Sequence, residues 1–118
     1  MNYYNLPIAS SSNMGVSIAS SAVELFYKWG YSIHAYWSGA AAAGQIILRG
    51  SNDFNPLQPD ALPTTYTPIT GTTAVVLGPG TVMWNSDMSN YRWVQMLYTP
   101  SGGGSTGVLT ARANIKGV

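Results

Sequence analysis

Short runs of alternating apolar and polar residues, cut at close intervals by Gly and Pro, fill most of this chain. Successive side chains on a strand point to opposite faces, so period-two alternation between turn residues predicts strands joined by turns. Residues 30–37 set Tyr31, Ile33, Ala35 and Trp37 against Ser32, His34 and Tyr36. Residues 107–115 set Leu109, Ala111, Ala113 and Ile115 against Thr110, Arg112 and Asn114, as a half-buried antiparallel strand does. Segments 21–25, 44–50, 72–77, 81–84 and 91–98 are the other predicted strands. A helical turn at 25–29 is too short to matter. The Ala-rich stretch SGAAAAG is bracketed by Gly39 and Gly44, and four residues cannot carry an independent helix, so it reads as a link between strands.

Strands at this spacing predict an all-β domain, an antiparallel sandwich or jelly roll of about seven or eight strands with two sheets face to face. At 118 residues the chain is one domain, large enough to bury a core without disulfide or metal staples. Residues 1–20, rich in Ser and Asn, are expected as an extended N-terminal arm able to order on a partner, and residues 21–118 as the sandwich. Three loops stand out. Residues 51–66 (SNDFNPLQPDALPTTY) form a long excursion carrying Pro56, Pro59 and Pro63, and loops longer than about 12 residues are often functional. Residues 86–90 read as a tight polar turn, and 101–106 (SGGGST) as a flexible hairpin tip.

Composition narrows the function. Hydrophobic residues make up 46% of the chain and charged residues 8%, so a folded core is expected and a charged, freely diffusing surface is not. A Ser-, Thr-, Gly-, Asn- and Tyr-rich exterior suits a domain partly covered by neighbours. The net charge is +1 and the basic residues Lys28, Arg49, Arg92, Arg112 and Lys116 form no run, which argues against a nucleic-acid footprint. No apolar run is long enough for a membrane span, and MNYYNLPIASSSN lacks the basic start and apolar run of a signal peptide. Cysteine is absent, so no disulfide framework exists.

Candidate chemistry is sparse, and no enzyme is expected. His34 is the only histidine and sits mid-strand, with no acid near it in sequence and no nucleophile elbow. Glu24, Asp53, Asp60 and Asp87 are the only acids, and three of them fall in turn sequences where Asp bonds its own backbone. Zinc lacks ligands, and calcium would have to use Asn52, Asp53 and Asp87 without any recognisable loop spacing. No cofactor is expected. What remains is aromatic surface: four Trp and eight Tyr are many for this length. Those not in the core would serve a protein interface or sugar stacking.

The segments GYSIHAYWSG, GQIILRGSND and TVMWNSDMSNYRWVQMLYTPSGGGSTGVLTARANIKG resemble, in that order, small bacteriophage virion proteins of the decoration, cement or minor capsid type. The resemblance spans residues 22–117. The SND turn leading to a strand is also similar to discoidin-like and carbohydrate-binding sandwiches. The resemblance implies a jelly-roll-like sandwich that attaches to other virion proteins of capsid or tail in many copies or as a homo-oligomer, and it brings no catalytic residues. The alternative is a carbohydrate-binding module or receptor-binding head, with a glycan as partner. Expected attachment residues are Tyr3, Tyr4 and Leu6 on the arm and Phe54, Pro56 and Leu57 on the long loop.

Overall fold

The computed structural model describes residues 2–25, 28–53, 56–58, 61–86, 91–101 and 106–117. Ten strands follow one another along the chain: β1 (Asn2–Asn13), β2 (Ile18–Ala19), β3 (Val23–Glu24), β4 (Lys28–Ser38), β5 (Ala43–Ser51), β6 (Thr67–Pro68), β7 (Ala74–Leu77), β8 (Gly80–Ser86), β9 (Trp93–Pro100) and β10 (Val108–Gly117). All pairings are antiparallel. One sheet runs β1-β10-β4-β8, and the other runs β2-β9-β5-β6, with β3 also on β9 and β7 also on β5.

The short pairs β2/β3 and β6/β7 each act as one interrupted strand along a longer neighbour. Counted that way there are eight strands, ordered 1-8-3-6 in one sheet and 2-7-4-5 in the other. That is the connectivity of a jelly roll, in which nearly every connection crosses from one sheet to the other. The predicted strands at 21–25, 30–37, 44–50, 72–77, 81–84, 91–98 and 107–115 correspond to β3, β4, β5, β7, β8, β9 and β10.

The alternation that predicts the strands also builds the core. Ile33, Ala35 and Trp37 of β4, Leu109, Ala111 and Ala113 of β10, Ile46 and Leu48 of β5, and Val94, Met96 and Tyr98 of β9 are buried between the sheets. Tyr98 is fully enclosed, and its hydroxyl lies 3.0 Å from the carbonyl oxygens of Met14 and Ala43, which share its one proton.

Two expectations need correction. Residues 2–13 are not an arm outside the sandwich, because they form β1, hydrogen-bonded along β10. Ile8 follows Tyr4 and Leu6 on the core face, and a register shift between Pro7 and Ala9 brings Ala9 into the core beside it, where Met14 and Ile18 join them. Nor do β9 and β10 form a hairpin, because they lie in different sheets; residues 102–105 of the expected tip lie outside the described residues. The start of β10 is closely packed. Gly107 has φ +123°, and a Cβ there would sit 2.1 Å from the Ser38 carbonyl oxygen. The Ala40–Ala41 turn crosses between the sheets, from β4 to β5.

Candidate functional site

Because strands alternate in direction, the loops gather at the two ends of the sandwich. The segments after β3, β5 and β8, the start of β1 and the end of β10 all lie at one end, where Ser51 pairs with Trp93 and Asn2 with Gly117. This end holds both groups of expected attachment residues.

On β1, Tyr4 pairs with Ile115 and Leu6 with Ala113, so both side chains lie on the core face of their sheet. They are nonetheless 42% and 43% exposed, because the core face runs past the part that the second sheet covers. The Lys28 ammonium sits 5.0 Å from the Tyr4 ring centroid. Tyr3 pairs with Lys116. Across the other face, Arg112 Nε donates to Asn5 Oδ1 at 2.7 Å and Asn5 Nδ2 donates to Asn114 Oδ1 at 2.8 Å, fastening β1 to β10. On the long loop Pro56 and Leu57 are exposed, Leu57 at 90%, while Phe54 lies outside the described residues.

The loop is pinned at its base by short side chains, as its Asn-Asp and Thr-Thr sequences allow. Ser51 Oγ accepts from the Asp53 N–H at 3.1 Å, and Asn52 Oδ1 accepts from the Arg92 N–H at 2.9 Å. Asp53 Oδ2 accepts from the Thr64 N–H, the Thr65 N–H and the Thr64 hydroxyl at 3.1, 3.0 and 3.3 Å, drawing the two ends of the excursion together. Beside it the Arg49 guanidinium stacks 4.7 Å over the Tyr66 ring and its Nε donates to Gln95 Oε1 at 2.8 Å. Burial raises the Tyr66 pKa, against the opposing pull of Arg49.

A cleft of about 580 Å³ opens at this base. Its apolar lining is Pro68, Ile69 and the Tyr91 ring, with the backbone of Gly50. Its polar lining is Ser51, Asn52, Asp53, Thr65 and Thr67. Tyr91 is held from two sides. Its hydroxyl meets the Tyr31 hydroxyl at 3.0 Å, and a Cβ on Gly50 would come within 3.2 Å of its ring. Tyr91 and the threonines are not among the expected attachment residues, because the cleft's walls come from three separate segments.

The outer face of the second sheet is a further surface that the sequence reading missed. Val75 pairs with Gln45 and Leu77 with Ala43, so both point away from the core, at 77% and 83% exposure. Ile47 and Leu97 pair on the same face, with Ala19 beside them. The run AVVL carries only half of the signal: in a period-two strand Val75 and Leu77 share one face and Val76 takes the other, and it is Val76 that lies in the core.

The candidate chemical groups are dispersed. His34 lies on the outer face of the first sheet between Arg112 and Met83. Its Nε2 is 2.8 Å from Thr81 Oγ1, which also lies within hydrogen-bond distance of the Ala35 carbonyl. Glu24 pairs with Arg92 at 3.3 Å. Asp60 and Asp87 lie outside the described residues. Among the described residues no three His, Cys, Asp or Glu side chains come together as a metal site, and no helix is long and apolar enough to cross a membrane.

Compared with known proteins, the chain matches no protein-family model and no curated protein sequence. Among solved structures it is similar to the crystal structure of the SPBc2 prophage-derived protein YomS, with TM-score 0.60 at 9% sequence identity. The likeness covers 97% of this chain and 92% of that one, so the two share a β-sandwich fold over almost their whole lengths.

Proposed function

We propose that the chain is a non-enzymatic structural protein of a bacteriophage, seated in the particle through protein–protein contacts with its capsid or tail. The observation that carries this reading is the exposed pair Val75 and Leu77 on the outer face of the second sheet, with Ile47 and Leu97 on the same face, which remains open although the core is complete without it. Burying a Val or Leu side chain is worth roughly 1.5–3 kcal/mol, so soluble monomers seldom leave two adjacent ones so bare. The fold shared with a prophage-derived protein supports the phage setting. The second attachment region is the loop end of the sandwich, where Tyr4, Leu6, Pro56 and Leu57 are exposed. Repeated copies on a symmetric particle would add avidity to modest single contacts.

The test is incorporation. The double variant Val75→Ser/Leu77→Ser, supplied in competition with the wild-type chain during assembly, should be depleted from purified particles. Equal incorporation of the two chains contradicts the assignment of this face.

A further inference from the structure

We propose that the cleft at the base of the long loop binds a neutral saccharide residue. The cleft goes beyond the attachment reading, and its test stands apart from that of particle assembly.

Size admits such a ligand, since small-molecule sites run about 300–1,000 Å³ and this cleft is about 580 Å³. Chemistry then selects among classes. A phosphate or carboxylate ligand would call for Lys or Arg in the lining, and there is none; the nearby Arg49 is stacked on Tyr66 and bonded to Gln95. A cation would call for several carboxylates. The lining holds one, Asp53, whose Oδ2 already accepts three hydrogen bonds.

A sugar ring has an apolar C–H face and a rim of hydroxyls that both give and accept hydrogen bonds. The cleft offers the matching halves: a tyrosine ring with Pro68 and Ile69, and the hydroxyls of Thr65 and Thr67 with the Asn52 amide. The ring is set before any ligand arrives, by the Tyr31 hydroxyl and by the bare backbone of Gly50. A preorganised aromatic platform lowers the ordering cost of binding, which matters most for weakly bound, strongly hydrated sugars. The backbone that carries Thr65 is held too, because Asp53 accepts from the Thr64 and Thr65 N–H groups.

The full-length protein, labelled with nitrogen-15, is titrated at millimolar concentrations with the methyl glycosides of glucose, galactose, rhamnose and N-acetylglucosamine, and separately with calcium chloride and sodium phosphate. At least one glycoside should give saturable amide shifts confined to residues 50–53, 65–67, 69 and 91. Thr67→Val, on an exposed β6 position that a β-branched residue suits, should weaken that glycoside about fivefold, while Tyr91→Phe, which keeps the ring and its Gly50 contact but loses the hydroxyl bond to Tyr31, should weaken it less. The proposal is overturned if no glycoside shifts these residues, if the shifts fall elsewhere, or if only calcium or phosphate produces them. It is also overturned if Thr67→Val binds as the wild type does.

Discussion

Tyr31 and Tyr91 meet hydroxyl to hydroxyl at 3.0 Å, one on the core face of β4 and the other at the mouth of the cleft. Burial raises the Tyr31 pKa well above the ordinary tyrosine value, and the hydrogen bond and charge of Tyr91 add to the effect. The folded state therefore favours the neutral phenol. Its contribution is complete below the unfolded value of about 10 and is lost as pH rises through the higher folded one. Thermal stability should fall above pH ~10, with one phenolate appearing only as the fold opens in an absorbance titration. Tyr31→Phe should remove that late phenolate and cost about 1 kcal/mol at neutral pH; a titration curve identical to wild type would refute the assignment. Gly107 makes the other residue-scale case. Its positive φ disfavours any side chain, and a Cβ would collide with backbone rather than with a side chain that can move. Gly107→Ala should therefore destabilise by about 3 kcal/mol or more in denaturant unfolding, beyond an ordinary surface change.

The long loop depends on one carboxylate to an unusual degree. Asp53 Oδ2 joins the start of the excursion to its end at Thr64 and Thr65, on the exposed side of the molecule. Asp53→Ala should free the segment while leaving the sandwich folded. Limited proteolysis should then cut between residues 54 and 63 sooner than in wild type, with a loss of roughly 1 kcal/mol in global stability. Unchanged cleavage would mean that other contacts hold the loop.

Elements differ in how far the sequence reveals them. Long strands with clean alternation, β4 and β10 above all, are legible because both hydrophobic period and turn residues agree. β1 is not, for physical reasons: the bulge after Pro7 puts Ala9 on the same face as Ile8 and ends the alternation of Tyr4, Leu6 and Ile8, and the following Ser10, Ser11 and Ser12 carry no β signal. The two-residue strands β2 and β6 are defined only by their partners β9 and β5, so nothing local announces them.

At the scale of the whole molecule, jelly-roll connectivity sends consecutive strands to opposite sheets and collects the loops at two ends. The fold class is legible from strand spacing, but this gathering is not. The cleft shows why: Gly50 to Asp53, Thr65 to Ile69 and Tyr91 become neighbours only once the sheets are assembled. Of the expected attachment residues, Tyr4, Leu6, Pro56 and Leu57 share one end, whereas Val75 and Leu77 lie on a sheet face that alternation read without its partner strand leaves unassigned. Because both point away from the core, Val75→Ser/Leu77→Ser should leave stability within about 0.5 kcal/mol of wild type by denaturant unfolding. A larger loss would mean that the face is part of the fold and not a contact surface.

The central proposal is that this chain is built into a phage particle. Quantitative mass spectrometry of gradient-purified, intact phage particles released by cells that carry its gene tests that proposal most directly. The account predicts the chain at a fixed copy number relative to the major capsid protein, retained through repeated banding. Abundant chain in the lysate with none in the banded particles would contradict it.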